Sequence, residues 1–316
     1  MDHGSASRFQ FRHFICRPFP LRYPLIRRVF GDASTLLEVT SDRVRSATPS
    51  DEHTPKDVLD FEFDPEGKLC HFVVLLGNVP SSLETCAGLV ARHRVTILSG
   101  FHQKSSDSLL WSFFADFAEA DISPADLASE IEFLPSNRGV RFKTATRGLL
   151  TDSFHFPILL SGERSIVLTT GSLEAIFQQI RGVFGDGAPA RVLLFEMGKA
   201  AGAAMMKGLV DRLGRSIVRD ELQTIMGLYS SSGLGKMHLV SMDFDKEMAE
   251  VRAYDNFECI TFKLSKVPRG SFIRGHITGW FSQLLGSFVE VEERYCVAMG
   301  HPFCYFEVKP ISSAGP

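Results

Sequence analysis

Glycine recurs inside two segments whose pattern is otherwise helical. Val192-Leu193-Leu194-Phe195-Glu196-Met197-Gly198-Lys199-Ala200-Ala201-Gly202-Ala203-Ala204-Met205-Met206-Lys207-Gly208 reads as one helix, and Gly275-His276-Ile277-Thr278-Gly279-Trp280-Phe281-Ser282-Gln283-Leu284-Leu285-Gly286 reads as another. Each interior glycine costs a helix about 1 kcal/mol relative to alanine, so a packing reason is implied. Without a Cβ, Gly198, Gly202, Gly208, Gly275 and Gly279 let another backbone approach closely. The spacing is not that of a phosphate-binding loop, because no strand, glycine-rich loop and Lys-Ser/Thr arrangement surround it. Gly227 to Gly235, around Ser230-Ser231-Ser232, reads as a turn before a strand at His238-Leu239-Val240-Ser241-Met242.

A length of 316 residues predicts two domains, each long enough to bury a core. The net charge of −3 offers no global cationic field for nucleic acid or an anionic membrane, so no direct nucleic-acid binding is expected. Phe outnumbers Tyr and Trp by 27 to 5 and 2, which points to dry interiors or greasy cavities. Six cysteines (Cys16, Cys70, Cys86, Cys259, Cys296 and Cys304) are too sparse for a disulfide scaffold, and no secretory leader is evident. A cytoplasmic location is therefore expected, with clustered cysteines read as metal or redox chemistry. No apolar run approaches the roughly 18–20 residues of a membrane span.

Residues 1–60 read as a basic arm and linker. Arg8, Arg12, Arg17, Arg22, Arg27 and Arg28 face the single acid Asp2 within the first thirty residues, and Thr40 to Lys56 is polar. The arm is either a targeting or surface-binding segment or a poorly ordered terminus; terminal segments commonly lack tertiary anchors.

From Phe61 the order is β-α-β-β-α-β. Phe72-Val73-Val74-Leu75-Leu76 is a strand, Pro80-Ser81-Ser82-Leu83 opens a helix with a serine cap, and Cys86 falls on that helix's apolar face. Val95 to Leu98, Leu109 to Phe117 and Val140 to Phe142 are further strands, and Ser123-Pro124 opens a second helix through Ile131. This is the split βαβ sandwich. With Gly77-Asn78-Val79-Pro80-Ser81-Ser82-Leu83 between first strand and first helix, residues 61–145 resemble an ACT domain. The resemblance implies a ferredoxin-like fold that dimerises, with amino-acid binding as the alternative; Ser81 stands where a glycine is usual.

Farther on, Ser165-Ile166-Val167-Leu168 is expected to be a strand, and a helix is expected from a Ser172 cap, ended by Gly185-Asp186-Gly187. His155, between Phe154 and Phe156, reads as a packed, hydrogen-bonded residue rather than a ligand. Val289 to Phe306 reads as a β-hairpin turning at Met299-Gly300-His301, with Cys296 directly opposite Cys304. Glu293 and Cys296 have opposite strand parity, so both face one site only if a bulge intervenes.

The glycine helix, Glu293-x-x-Cys296 and Cys304 beyond a glycine turn resemble the 4-vinyl reductase (hydrocarbon-binding) domain, as does Leu194-Phe195-Glu196-Met197-Gly198. The resemblance covers 150–310. It implies an α/β fold of the α+β type, shared with vesicle-tethering TRAPP-like proteins, in which an antiparallel sheet packs on helices around a hydrophobic pocket in a homodimer. It also implies zinc. Glu293, Cys296 and Cys304 match three of the four ligands of the aromatic-sensor relatives; the remaining position is Gly270 here, and Cys259, placed on the preceding strand, is its expected substitute, with His276 and His301 as other candidates. Reduced structural thiols or a redox pair are the competing readings of the cysteines.

The expected function is a cytoplasmic small-molecule-binding regulatory or sensor protein. A small apolar or aromatic ligand sits in the C-terminal domain, while the ACT-like domain dimerises or couples. No Rossmann fingerprint, nucleophile elbow or paired acid–base motif is present, so an enzyme is not expected. The alternatives are a reductase of tetrapyrrole or aromatic metabolism and a scaffolding protein of the vesicle-tethering type.

Overall fold

The computed structural model describes residues 55, 56, 58, 60–262 and 264–311, so the expected basic arm and nearly all of its linker lie outside the described residues. The chain divides into two compact units, 1–158 and 159–316.

The first unit is built on β2 (Leu69–Gly77), α1 (Pro80–Arg92), β3 (Thr96–Lys104), β4 (Ser108–Asp116), α2 (Pro124–Glu132) and β5 (Asn137–Thr144). The strands form an antiparallel sheet in the order β3-β4-β2-β5, which is the split βαβ arrangement. Period-two alternation sends Cys70, Phe72, Val74 and Leu76 of β2 into one core with Cys86, Leu89 and Val90 of α1 and Leu127, Ala128 and Ile131 of α2. Phe72 stacks on Phe113, Phe117 and Phe142 at centroid distances of 5.5, 5.9 and 5.5 Å. α2 starts as its sequence requires, with Ser123 Oγ accepting from the Asp126 N–H at 3.1 Å and Pro124 in the first turn. α1 differs from expectation: its N-cap is Val79, with no side-chain cap, and Ser82 is buried within the helix. A pair of short strands not expected from the sequence, β1 (Phe61–Phe63) and β6 (Leu149–Thr151), pairs Phe61 with Thr151. This pairing draws the residues after 145 into the first unit.

The second unit begins with β7 (Leu159–Leu160) and β8 (Glu163–Arg164), followed by α3 (Thr170–Phe184) and α4 (Ala188–Leu213). The strand expected at Ser165–Leu168 does not form; Ile166 and Val167 are exposed, and the run has no ladder partner among the described residues. The cap of α3 lies three residues before Ser172, because Thr169 Oγ1 accepts from the Ser172 N–H at 3.1 Å. After α5 (Leu222–Ser231) come β9 (Lys236–Asp243), β10 (Met248–Tyr254), α6 (Ser271–Leu285), β11 (Val289–Tyr295) and β12 (Cys304–Pro310). The antiparallel sheet order is β11-β12-β10-β9. Its inward residues Val251, Ala253, Val291, Phe306 and Val308 share one core with Leu194, Met206, Met226, Tyr229, Ile277, Trp280 and Phe281.

α4 and α6 meet at their backbones. A Cβ on Gly198 would fall well inside contact distance of the Phe272 carbonyl oxygen, one on Gly202 of the His276 oxygen, one on Gly275 of the Phe195 oxygen and one on Gly279 of the Lys199 oxygen. Four glycines thus interleave with four carbonyls across the helix pair, an arrangement in which Cα–H groups approach carbonyl oxygens. Gly208 does not belong to it: a Cβ there would meet only the Glu163 Oε1 atom at 3.4 Å.

Two expectations follow. Gly202→Ala drives a methyl into backbone that cannot rotate away and destabilises the chain by about 3 kcal/mol or more in urea denaturation, whereas Gly208→Ala is neutral or stabilising by up to about 1 kcal/mol. In the first unit, His93 bonds Asp121 at 2.8 Å and Glu130 at 3.1 Å, and these carboxylates raise its pKa. The stability from this charged ring is fully present below the unfolded-state pKa of about 6.5 and is lost as pH rises through the raised folded value. An NMR titration is expected to place the His93 midpoint above about 6.5, and His93→Gln to flatten stability over that window.

Candidate metal centre

Each side chain of the centre is delivered by a different local device. β10 ends at Tyr254, and the chain enters a turn rather than continuing as the expected strand: the Cys259 and Ile260 N–H groups both donate to the Asn256 carbonyl, at 3.0 and 3.1 Å. Cys259 therefore sits in a turn at the foot of α6. On β11, Glu293 pairs with Phe306 while Tyr295 pairs with Tyr305, and the register shifts between them. That shift is the required bulge, located at Arg294, and it cancels the parity conflict between Glu293 and Cys296.

Cys296 lies one residue beyond β11 and begins a short 3-10 turn, Val297–Met299, closed by Gly300 in the left-handed region at φ 94°. The direct opposition expected of Cys296 and Cys304 is therefore not a ladder pair. Cys304 opens β12 and pairs with Ala253 on β10.

One ligand atom from each of Cys259, Glu293, Cys296 and Cys304 lies within 4.8 Å of the other three. The sulfurs of Cys259 and Cys296 are 3.6 Å apart, much farther than the roughly 2.05 Å of a disulfide. Tetrahedral zinc with Zn–S near 2.3 Å sets sulfur–sulfur separations at about 3.8 Å. The donor set has the chemistry and spacing of such a centre. All three cysteines are fully buried, and Glu293 Oε1 is a buried oxygen with no hydrogen-bond partner. An orphaned carboxylate oxygen beside three thiols is what a cation would satisfy, so the residues fit a metal.

The electrostatics agree. Burial, with Cys296 beside it, pushes the Glu293 carboxyl up to about 9. Hydrogen bonds from Cys259 and Cys304 pull Cys296 far below the usual thiol range, while Cys259, bonded to Cys296, is held far above it. One negative charge is thus concentrated among three sulfurs. Amide donors support it: Asn256 Nδ2 points at the sulfurs of Cys259 and Cys304, at 3.2 and 3.6 Å, and the Val297 N–H points at Cys304 at 3.5 Å. Such donors to the sulfurs act as an outer shell around a metal.

The surrounding residues hold the turn in place. Glu258 is buried, accepts the Ile273 N–H at 3.1 Å and so caps the start of α6, and accepts from Arg181 Nη2 at 3.2 Å. Its pKa is pushed up to about 7, first by burial. Arg181 and Arg269 stack on Phe262, at 5.1 and 4.9 Å, and Arg269 bonds Asp186 at 2.6 Å. Gly270 borders the centre: a Cβ there would lie 3.0 Å from Glu293 Oε2 and 3.3 Å from Cys259 Sγ. The space beside Gly270 is therefore occupied by the Cys259 sulfur. His276 and His301 do not join the four: His276 bonds the Tyr229 hydroxyl at 2.9 Å, and His301 Nδ1 bonds the Cys296 carbonyl at 3.2 Å. Asn256, Glu258 and Arg181 are not legible in the sequence as site residues, although Asn and Glu beside Cys259 in an apolar neighbourhood are a compositional sign of buried polar work.

Residues 249–310 match the model of the vinyl-4-reductase (4-vinyl reductase) domain family. The match begins on β10 and ends with β12, so it contains all four candidate ligands and α6. It supports the resemblance to the 4-vinyl reductase domain over that span. No curated protein matches the chain. Among solved structures, the chain is similar to the phenol-responsive sensory domain of the transcription activator PoxR with phenol, at 24% identity over 48% of this chain and 79% of that one, with a TM-score of 0.44. It is also similar to a trafficking protein particle complex subunit 3 from Naegleria fowleri covalently bound to palmitic acid (17% identity, 45% and 93% coverage, TM-score 0.37) and to a vinyl-4-reductase family protein from Methanocaldococcus jannaschii (18%, 47% and 85%, 0.32). Superpositions this loose leave function to be read from the site itself. No helix among the described residues is long and apolar enough to cross a membrane.

Gly270→Ala, which crowds both Glu293 and Cys259 by a few tenths of an ångström, is expected to weaken metal retention against a chelator without unfolding the chain; competition with a chromophoric chelator measures it.

Proposed function

We propose that the second unit is a zinc-stabilised, small-molecule-binding domain of the vinyl-4-reductase type in a regulatory or sensor protein. The observation that carries this reading is the coincidence of the family match with the buried three-thiol, one-carboxylate cluster. Four protein donors close a tetrahedral site, which favours a structural metal over a catalytic one that keeps an open position. The reading is accordingly of a binding protein rather than an enzyme. When bound, zinc would join the turn at 256–261, strand β11 and the start of β12, and would balance the charge that Glu293 and Cys296 gather.

The ligand assigned to this unit is small and apolar or aromatic. A narrow cavity beside the centre is lined by Phe177, Phe257 and Phe262 with Arg181 and Glu258, an apolar wall with few polar anchors. Its volume is about 10 Å³, so occupancy requires that these side chains part. The first unit is read as an ACT-like element that dimerises or couples the sensor, without contact to nucleic acid, in a homodimer working in the cytoplasm.

Elemental analysis tests the metal: about one zinc per second-unit cluster is expected, lost together with thermal stability in Cys304→Ser. A zinc-free protein that tolerates Cys296→Ser and Cys304→Ser without change overturns it. Thermal-shift screening with phenols, short acyl chains and amino acids tests the ligand class, and a rise confined to the apolar compounds is expected; a flat response removes the sensor reading.

A further inference from the structure

The first unit carries a second constellation of ligating groups, unrelated in sequence to the cysteine centre. His71 lies on β2, on the face of the sheet opposite α1 and α2, and Asp152 and His155 lie on the segment after β6 that passes over this face. Ligand atoms of His71, Asp152 and His155 all lie within 4.8 Å of one another. His71 is fully buried.

The three groups are held before any ion arrives. Asp152 Oδ1 accepts the N–H groups of Phe154 and His155, at 2.9 and 3.2 Å, so a local turn aims the carboxylate and ring together. Asp152 Oδ2 bonds His155 Nδ1 at 2.8 Å. On the other side, His71 Nε2 bonds Ser112 Oγ at 2.8 Å, and Phe114 stacks flat on the His71 ring at 4.4 Å. Phe154 and Phe101 close the flanks, the first 5.2 Å from the His71 ring and the second 5.0 Å from the His155 ring. Lys143, opposite His71 on β5, bonds the hydroxyls of Thr151 and Ser153, at 3.4 and 3.2 Å.

Two nitrogens have no hydrogen-bond partner among the described residues. His71 Nδ1 and His155 Nε2 are both buried, and the Asp152 carboxylate oxygen facing His71 Nδ1 is at 3.8 Å, too far for a hydrogen bond. An imidazole whose other nitrogen is fixed by a hydroxyl or carboxylate, with a free nitrogen turned toward a second imidazole and a carboxylate, has the orientation of a metal ligand with its outer shell already in place. Burial keeps the His71 ring neutral, so its lone pair is available near neutral pH.

We propose that His71, Asp152 and His155 form a second metal site, which takes a divalent transition ion through two imidazoles and one carboxylate. Three protein ligands leave at least one coordination position for water or a small anion, unlike the closed cysteine centre. Nitrogen and oxygen donors without sulfur favour zinc, iron(II), cobalt(II) or nickel(II) over copper(I).

Cobalt(II) chloride is the probe, used on the full chain after chelator treatment. The cysteine centre reports itself by thiolate-to-cobalt charge-transfer absorption in the near ultraviolet; the histidine site gives only weak visible d–d bands. The wild type is expected to retain about two cobalt ions per chain after desalting. Asp152→Asn and His155→Ala, both at partly exposed positions, are expected to lose one ion and the weak bands while keeping the thiolate absorption. In Cys304→Ser the pattern reverses, so failure of the cysteine reading is separately visible. Asp152→Asn retains a carbonyl oxygen for the two backbone donors, which separates loss of a ligand from loss of the turn. Unchanged cobalt content in both Asp152→Asn and His155→Ala overturns the proposal, as does a wild type whose bound cobalt shows thiolate ligation alone.

Discussion

The contact between α4 and α6 is a backbone contact, and the second unit is arranged around it. Four glycines and four carbonyls alternate along the seam, at Gly198, Gly202, Gly275 and Gly279. Because no side chain intervenes, the two axes are drawn together and their remaining faces are free for other duties. α6 turns Ile273, Ile277, Trp280 and Phe281 into the core against the sheet, while its first turn receives the Glu258 carboxylate. The loss of helix propensity at each glycine is about 1 kcal/mol, smaller than the clash each alanine would bring, so the seam is favoured by what it avoids.

The cysteine centre depends on that seam at one remove. α6 fixes where Ile273 presents its N–H, Glu258 binds there, and the turn bearing Glu258 also bears Cys259. On the strand side, one irregular residue, Arg294, decides whether Glu293 and Cys296 share a face. The same region collects opposite demands: buried carboxylates at Glu258 and Glu293, one answered by Arg181, the other by no protein cation among the described residues. The unanswered one lies beside three sulfurs.

Much of this is legible in the sequence. Alternation and turn residues locate the βαββαβ unit, because β2 is apolar on both faces and Ser123-Pro124 is a strong helix start. The glycine helices signal close approach, though not that each is the other's partner, since helix pairing between segments so distant along the chain leaves no local trace. Glu293, Cys296, Cys304 and Cys259 stand out from spacing and resemblance together, and they do converge. Cys259 reads as part of a strand because the apolar run after Tyr254 continues; burial of Asn256 and Glu258 turns it instead. The Ser165–Leu168 run fails for the opposite reason, being apolar without a ladder to join. His155 reads as packed between phenylalanines, and only folding shows that its ring and Asp152 meet His71, which lies on a strand far earlier in the chain.

A seam made of main chain behaves differently from a seam made of side chains. Interdigitated leucines can accommodate a guest by changing rotamers one at a time, so strain dissipates locally. Carbonyls pressed on glycine have no such freedom; α4 and α6 must part as whole helices or stay as they are. Any deformation imposed on the second unit is therefore diverted to elements held by side chains, namely α3 through Phe177 and Arg181 and the turn through Glu258. The rigid pair acts as an anvil, and the compliant half of the unit is the half that carries the sulfur cluster.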